Sequence, residues 1–187
     1  GLNPEPFIYI AAHEFRHAWQ EVRNVLNRQL GLSASDIVTL YKVIEADAVA
    51  FQTTVCYELA QAGINAPLNH LLWSQYGQFA QAFLDKVEIN PLSAKTGTAQ
   101  RAAYMTYLGN QTASRSYAIS ACKNFSDYRI ADNLRFRFRP VSSLVGVNLA
   151  LSSMPYYDEA GNLMQRDAYD ITPKTPREIA LTADLPD

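Results

Sequence analysis

The sequence predicts a mainly α-helical domain followed by an irregular C-terminal tail with at most a short strand, and three observations carry that expectation. Apolar residues recur at helical spacing through residues 7–28 and again through 37–59. Each run is closed by a glycine, Gly31 for the first and Gly63 for the second. Past Ser126 the periodicity lapses into a stretch rich in Pro, Asp, Ser and Tyr.

Pro4 and Pro6 suit the start of the first helix, whose apolar positions are Ile8, Ala11, Phe15, Ala18, Trp19, Val22 and Leu26. Ser33 or Ser35 can cap the second, which carries Ile37, Leu40, Ile44, Ala48, Phe51, Val55 and Leu59. A short polar loop between two long helices favours an antiparallel pair. After Pro67 comes a short apolar piece, His70, Leu71, Leu72 and Trp73, then a helical run with Phe79, Phe83, Leu84 and Val87 that stops at Asn90 and Pro91. Residues 94–108 and 112–125 read as two further helices separated by Gly109 and Asn110. In the tail, Leu134, Phe136 and Phe138 alternate with Arg135, Arg137 and Arg139, the period of a strand. Asp158, Gly161 and Asn162 mark a turn. The expected organisation is a helical domain over residues 1–125 with an irregular extension, residues 126–187, packed on it.

Composition limits what such a domain does. The 187 residues are 48% hydrophobic and 18% charged, with a net charge of −2. A chain of this length buries enough surface to fold without a disulfide or a structural metal, so a metal here is a candidate for function. The charge balance argues against nucleic-acid binding, which needs a basic face, and the short Arg/Phe alternation is explained equally well by a guarded edge strand. No apolar run is long enough to span a membrane. Cys56 and Cys122 are far apart and read as reduced core residues. No signal-peptide pattern follows Gly1, which favours a cytoplasmic over a secreted protein. Oligomeric state is not legible.

Two of the three histidines, His13 and His17, flank an acidic residue in the pattern HExxH. On a helix the two imidazoles lie about 40° apart on one face and roughly 6 Å apart along the axis, within reach of one ion. Glu14 projects beside such an ion, where it can take a proton from bound water. A helical projection puts the apolar stripe on one side and both histidines nearly opposite its centre, so they are expected to line a metal cleft and not the core. Zinc suits two imidazoles, a carboxylate and an open position. The second helix offers Glu45 and Asp47 as the third ligand. They project to opposite flanks of its apolar stripe, so spacing does not choose between them and at most one is a ligand. The other is expected to orient a histidine ring or to pair with a cation such as Arg16. His70, alone in an apolar run, reads as a satisfied structural residue. Tyr41, Tyr104, Tyr107 and Tyr117 are candidates for stabilising an oxyanion, and nothing in the sequence ranks them.

The block His13, Glu14, Phe15, Arg16, His17, Ala18, Trp19 and Gln20, followed by Glu45, Ala46, Asp47 and Ala48, resembles an uncharacterised bacterial family of predicted metallopeptidases. More broadly it is similar to the gluzincins, in which a glutamate from a following helix completes HExxH. The resemblance covers residues 7–125. It implies a zincin-like domain, Zn²⁺ held by His13, His17 and Glu45, Glu14 as general base, Asp47 behind the ligands, and a peptide or protein substrate. The chain departs from many gluzincins at Val49, where they carry an acid four residues after the ligand. The expected function is therefore zinc-dependent peptide hydrolysis by Glu-assisted attack of water. The alternatives are a non-catalytic metal-binding or protein-interaction domain that retains the fold, and a helical structural module with an accidental HExxH.

Overall fold

In a computed structural model of the chain, the described residues are 7–22 and 34–110, together with Thr112, Ile119, 156–157 and 163–164. They comprise α1 (Ile8–Val22), α2 (Ala34–Gln61), α3 (Ala66–Leu72), α4 (Gly77–Ile89), a 3₁₀ turn (Pro91–Ala94) and α5 (Thr98–Gly109). Two short strands, β1 (Tyr156–Tyr157) and β2 (Leu163–Met164), pair antiparallel, with Tyr156 opposite Met164 and Tyr157 opposite Leu163, and the residues expected to turn between them, Asp158, Gly161 and Asn162, lie outside the described residues. Only Thr112 and Ile119 of the helix expected over 112–125 are described. The Arg135 to Arg139 alternation, Cys122 and Tyr117 lie outside the described residues, as does the extension apart from its two strands.

The axis of the fold is α2, whose 28 residues extend about 42 Å. From Lys42 to Ala50 every residue is buried, because α2 is covered by α1 on one side and by α3, α4 and α5 on others. Its core contacts join Leu40, Val43, Ile44 and Val49 to Phe79 and Phe83 of α4 and to Ala103, Tyr104 and Tyr107 of α5. Full burial of each phenylalanine contributes about 1.5–3 kcal/mol. A smaller apolar cluster joins Cys56, Leu71 and Ala80, with Tyr9, Leu68, Leu72 and Tyr76 against it. Cys56 is a buried free thiol, which burial pushes up to about 12, so it is chemically quiet. As expected, α2 is closed by Gly63, at φ +89°.

The first two helices run antiparallel, as the short-loop reading expects. Tyr9, Arg16 and Gln20 along α1 meet Gln52, Asp47 and Ile44 along α2 in descending order. The face that α1 buries is a correction to the expectation from its apolar stripe. Ala12, His13, Arg16 and Gln20 are buried, whereas Phe7, Phe15 and Val22 are 63%, 72% and 80% exposed. The reason is that the polar face is paired: the Arg16 guanidinium and the Gln20 carboxamide find complementary groups on α2, which removes the penalty that normally keeps such groups in water. His70 also departs from its reading, standing exposed on α3.

A tight corner joins α3 to α4. A Cβ on Gly77 would lie 2.1 Å from the backbone oxygen of Leu72, so only glycine permits the approach. The same corner places Tyr76 against α1, where its ring stacks on His13 with centroids 5.5 Å apart.

Candidate metal centre

The site is built on the seam between α1 and α2. His13 and His17 are one turn apart on the buried side of α1 and both face Glu45 in the buried stretch of α2. The two imidazole Nε2 atoms lie 3.0 Å apart. His13 Nε2 is 3.4 Å from Glu45 Oε2, and His17 Nε2 is 3.2 Å from Glu45 Oε1. One ligand atom from each of the three residues falls within 4.8 Å of the others, a group that could hold a metal ion.

The spacing of the donor atoms is compatible with such an ion. Metal–ligand bonds of about 2.0–2.1 Å at tetrahedral angles put neighbouring donor atoms roughly 3.3 Å apart. The imidazole nitrogens, 3.0 Å apart, and the imidazole–carboxylate separations of 3.2 and 3.4 Å, which run to different oxygens of Glu45, lie near that value, and with one oxygen taken from the carboxylate the three donors fall within 4.8 Å. The polar bookkeeping agrees. Glu45 Oε2 is buried without a hydrogen-bond partner among the described residues, so the three side chains do not satisfy one another fully.

Electrostatics favour a cation at this point. Burial opposes ionisation of Glu45, but the His13 and His17 imidazoles beside it outweigh burial and hold its carboxyl down to about 2. Burial likewise opposes charge on His17, yet the hydrogen bond and charge of Glu45, with help from Gln20 and the nearby charge of Glu14, raise it above its ordinary value of 6.5. Below the raised value of His17, a protonated imidazole beside the ionised Glu45 carboxylate is therefore the favoured pairing.

Around the group, Arg16 donates to Asp47 from Nε to Oδ2 at 2.7 Å and from Nη2 to Oδ1 at 2.9 Å. The guanidinium carbon lies 3.9 Å from the Trp19 ring centroid, with Phe51 at 5.2 Å. Gln20 Nε2 donates to Asp47 Oδ2 at 2.7 Å and to the Ile44 carbonyl at 2.9 Å, while Gln20 Oε1 lies 2.8 Å from His17 Nδ1.

Of the residues singled out in the sequence, His13, His17 and Glu45 converge, and Asp47 is tied to Arg16 and Gln20 outside that group. Glu14 is exposed beside His17, near enough for its charge to be felt there. Tyr104 and Tyr107 belong to the core of α2, α4 and α5 and not to the site. Tyr76 and Gln20 were not singled out. Tyr76 sits in a loop with no motif, whereas Gln20 follows His17 by three residues, the spacing at which a helical side chain meets its neighbour.

The fold thus gathers two histidines of one helix and a glutamate of the next at one seam, a group that could hold a metal ion. The chain belongs to the family described as "Putative metallopeptidase family (DUF6782)", which its residues 1–137 match. No curated protein and no solved structure matches it. Among the described residues, no helix is long and apolar enough to cross a membrane.

Proposed function

We propose that the protein is a zinc-dependent, gluzincin-like metallopeptidase in which His13, His17 and Glu45 hold the ion and Glu14 is the general base for peptide-bond hydrolysis. The observation that supports it most directly is the convergence of the three donor groups within 4.8 Å. Two imidazoles and a carboxylate suit zinc, with a fourth position left for water or substrate. Bound there, zinc supplies Lewis acidity and brings water to nucleophilic strength near neutral pH.

The remaining chemistry belongs to the chain. Glu14 is exposed, so its carboxylate meets solvent and an incoming peptide while staying beside His17. In that position it accepts the proton of the attacking water and passes it to the leaving amine. Tyr76, stacked on His13, walls the site and limits rotation of that ring.

The test is metal analysis of purified protein together with a peptide-library assay on the parent and a Glu14→Gln variant. One zinc per chain, hydrolysis by the parent, and full metal retention with a 10²–10⁴-fold lower rate in the variant are the expected results. Loss of zinc in His13→Ala and His17→Ala accompanies them. Absence of stoichiometric metal, or its retention in His13→Ala, overturns the reading. Zinc bound equally by parent and Glu14→Gln with hydrolysis by neither identifies a non-catalytic metal-binding domain instead.

A further inference from the structure

We infer that Gln20 is a positioning residue that fixes the tautomer and direction of His17, so that the Nε2 lone pair faces Glu45 and His13; its consequence for zinc rests on the metallopeptidase reading above. A carboxamide has a donor end and an acceptor end, and its neighbours decide which is which. Gln20 is fully buried, so water decides nothing. Its Nε2 lies 2.9 Å from the Ile44 carbonyl and 2.7 Å from Asp47 Oδ2. Both are acceptors, so the amino group occupies that end. The carbonyl end, Oε1, then lies 2.8 Å from His17 Nδ1. An amide oxygen only accepts, so Nδ1 carries the proton. In the neutral ring this leaves Nε2 as the basic atom, 3.0 Å from His13 Nε2 and 3.2 Å from Glu45 Oε1.

The arrangement does not end at Gln20. Asp47 holds the Gln20 amino group and is itself held by two hydrogen bonds from Arg16. Asp47 therefore acts on His17 through a neutral carboxamide, and not by direct contact with the imidazole. A ligating histidine commonly donates its second ring nitrogen to a partner that orients it. Here only one of the two histidines has that support, since His13 Nδ1 has no hydrogen-bond partner among the described residues. The two ligands of the pair are thus unequal: His17 is held by hydrogen bonds, His13 by ring stacking on Tyr76.

The experiment is ¹⁵N NMR of the histidine rings of the metal-free full chain, at a pH where imidazole is neutral, combined with zinc titration. In the parent, His17 is expected as the Nδ1–H tautomer. Gln20→Met keeps the volume but removes the acceptor, and is expected to lose that tautomer preference and to weaken zinc binding about 10–100-fold. The tautomer of the parent, read without any substitution, keeps the test decisive if Gln20→Met folds poorly. An Nε2–H tautomer in the parent, or an unchanged tautomer and zinc affinity in Gln20→Met, overturns the inference. A parent that binds no zinc but shows the Nδ1–H tautomer, lost in Gln20→Met, refutes the metal reading while supporting the role of Gln20.

Discussion

On the proposed reading, His17 joins two competing occupants of one position, a proton and a metal ion. Its pKa is raised and that of Glu45 is depressed to about 2, so the metal-free pair is charged on both sides over a wide range. The contribution of His17 to stability is fully present below its ordinary 6.5 and is lost as pH rises through its higher folded value. The contribution of Glu45 is present above its ordinary 4.5 and is lost as pH falls toward about 2. The metal-free protein is therefore stabilised most by this pair between about pH 4.5 and 6.5. Zinc must displace the proton, so its affinity is expected to rise with pH until His17 is neutral. Competition titrations across a pH series check this, and an affinity that stays flat through pH 6.5 contradicts it. At this scale much of the candidate site was legible in the sequence. HExxH names His13, His17 and Glu14 because a helix converts spacing into direction. Helical projection alone did not separate Glu45 from Asp47, since the two lie symmetrically about the apolar stripe; the resemblance favoured Glu45, and in the fold Glu45 faces the imidazoles while Asp47 pairs with Arg16.

At the scale of elements, that packing direction is the main departure from hydrophobic periodicity. Periodicity locates a helix well, and the closure of α2 at Gly63 and the stop of α4 before Pro91 follow it. It assumes, however, that the apolar side is the packed side. Along α1 the packed side is polar, and Arg16 with Asp47 is the pair that makes this affordable. Asp47→Ala removes the bidentate carboxylate partner of a buried guanidinium and is expected to cost about 3–5 kcal/mol in chemical denaturation. The double change Arg16→Met with Asp47→Leu removes both charges and is expected to recover a large part of that loss. No recovery in the double variant contradicts this account of the α1–α2 seam. The α3–α4 corner makes a second prediction. In Gly77→Ala the new methyl meets the rigid Leu72 backbone, so the corner must open, at about 1–3 kcal/mol, and carry Tyr76 away from His13. A denaturation midpoint equal to that of the parent contradicts it.

Across the whole molecule, the apolar core and the candidate metal centre occupy different seams. Phe79, Phe83, Tyr104 and Tyr107 pack on α2 from α4 and α5, whereas the imidazoles approach α2 from α1. Removing a metal from the α1 seam therefore leaves the α2–α4–α5 core intact, and the chain is long enough to fold on that core without one. Chelated protein is expected to keep its helical circular dichroism and to melt cooperatively at a lower temperature than the zinc-loaded form. The increment follows mass action, about 2.7 kcal/mol when free zinc is a hundred times its dissociation constant. In Glu45→Gln, which weakens the donor set without emptying the core, the zinc-dependent increment shrinks while the melting temperature of the metal-free form changes little above the pH at which His17 loses its proton. A different result separates the two roles a metal can have. If chelation abolishes the helical signal, the ion is a structural part of the fold, as in small domains too short to fold without one. If the signal survives and only the increment is lost, the α1–α2 seam is a site added to a fold that stands by itself, and the open face of the ion is available for chemistry.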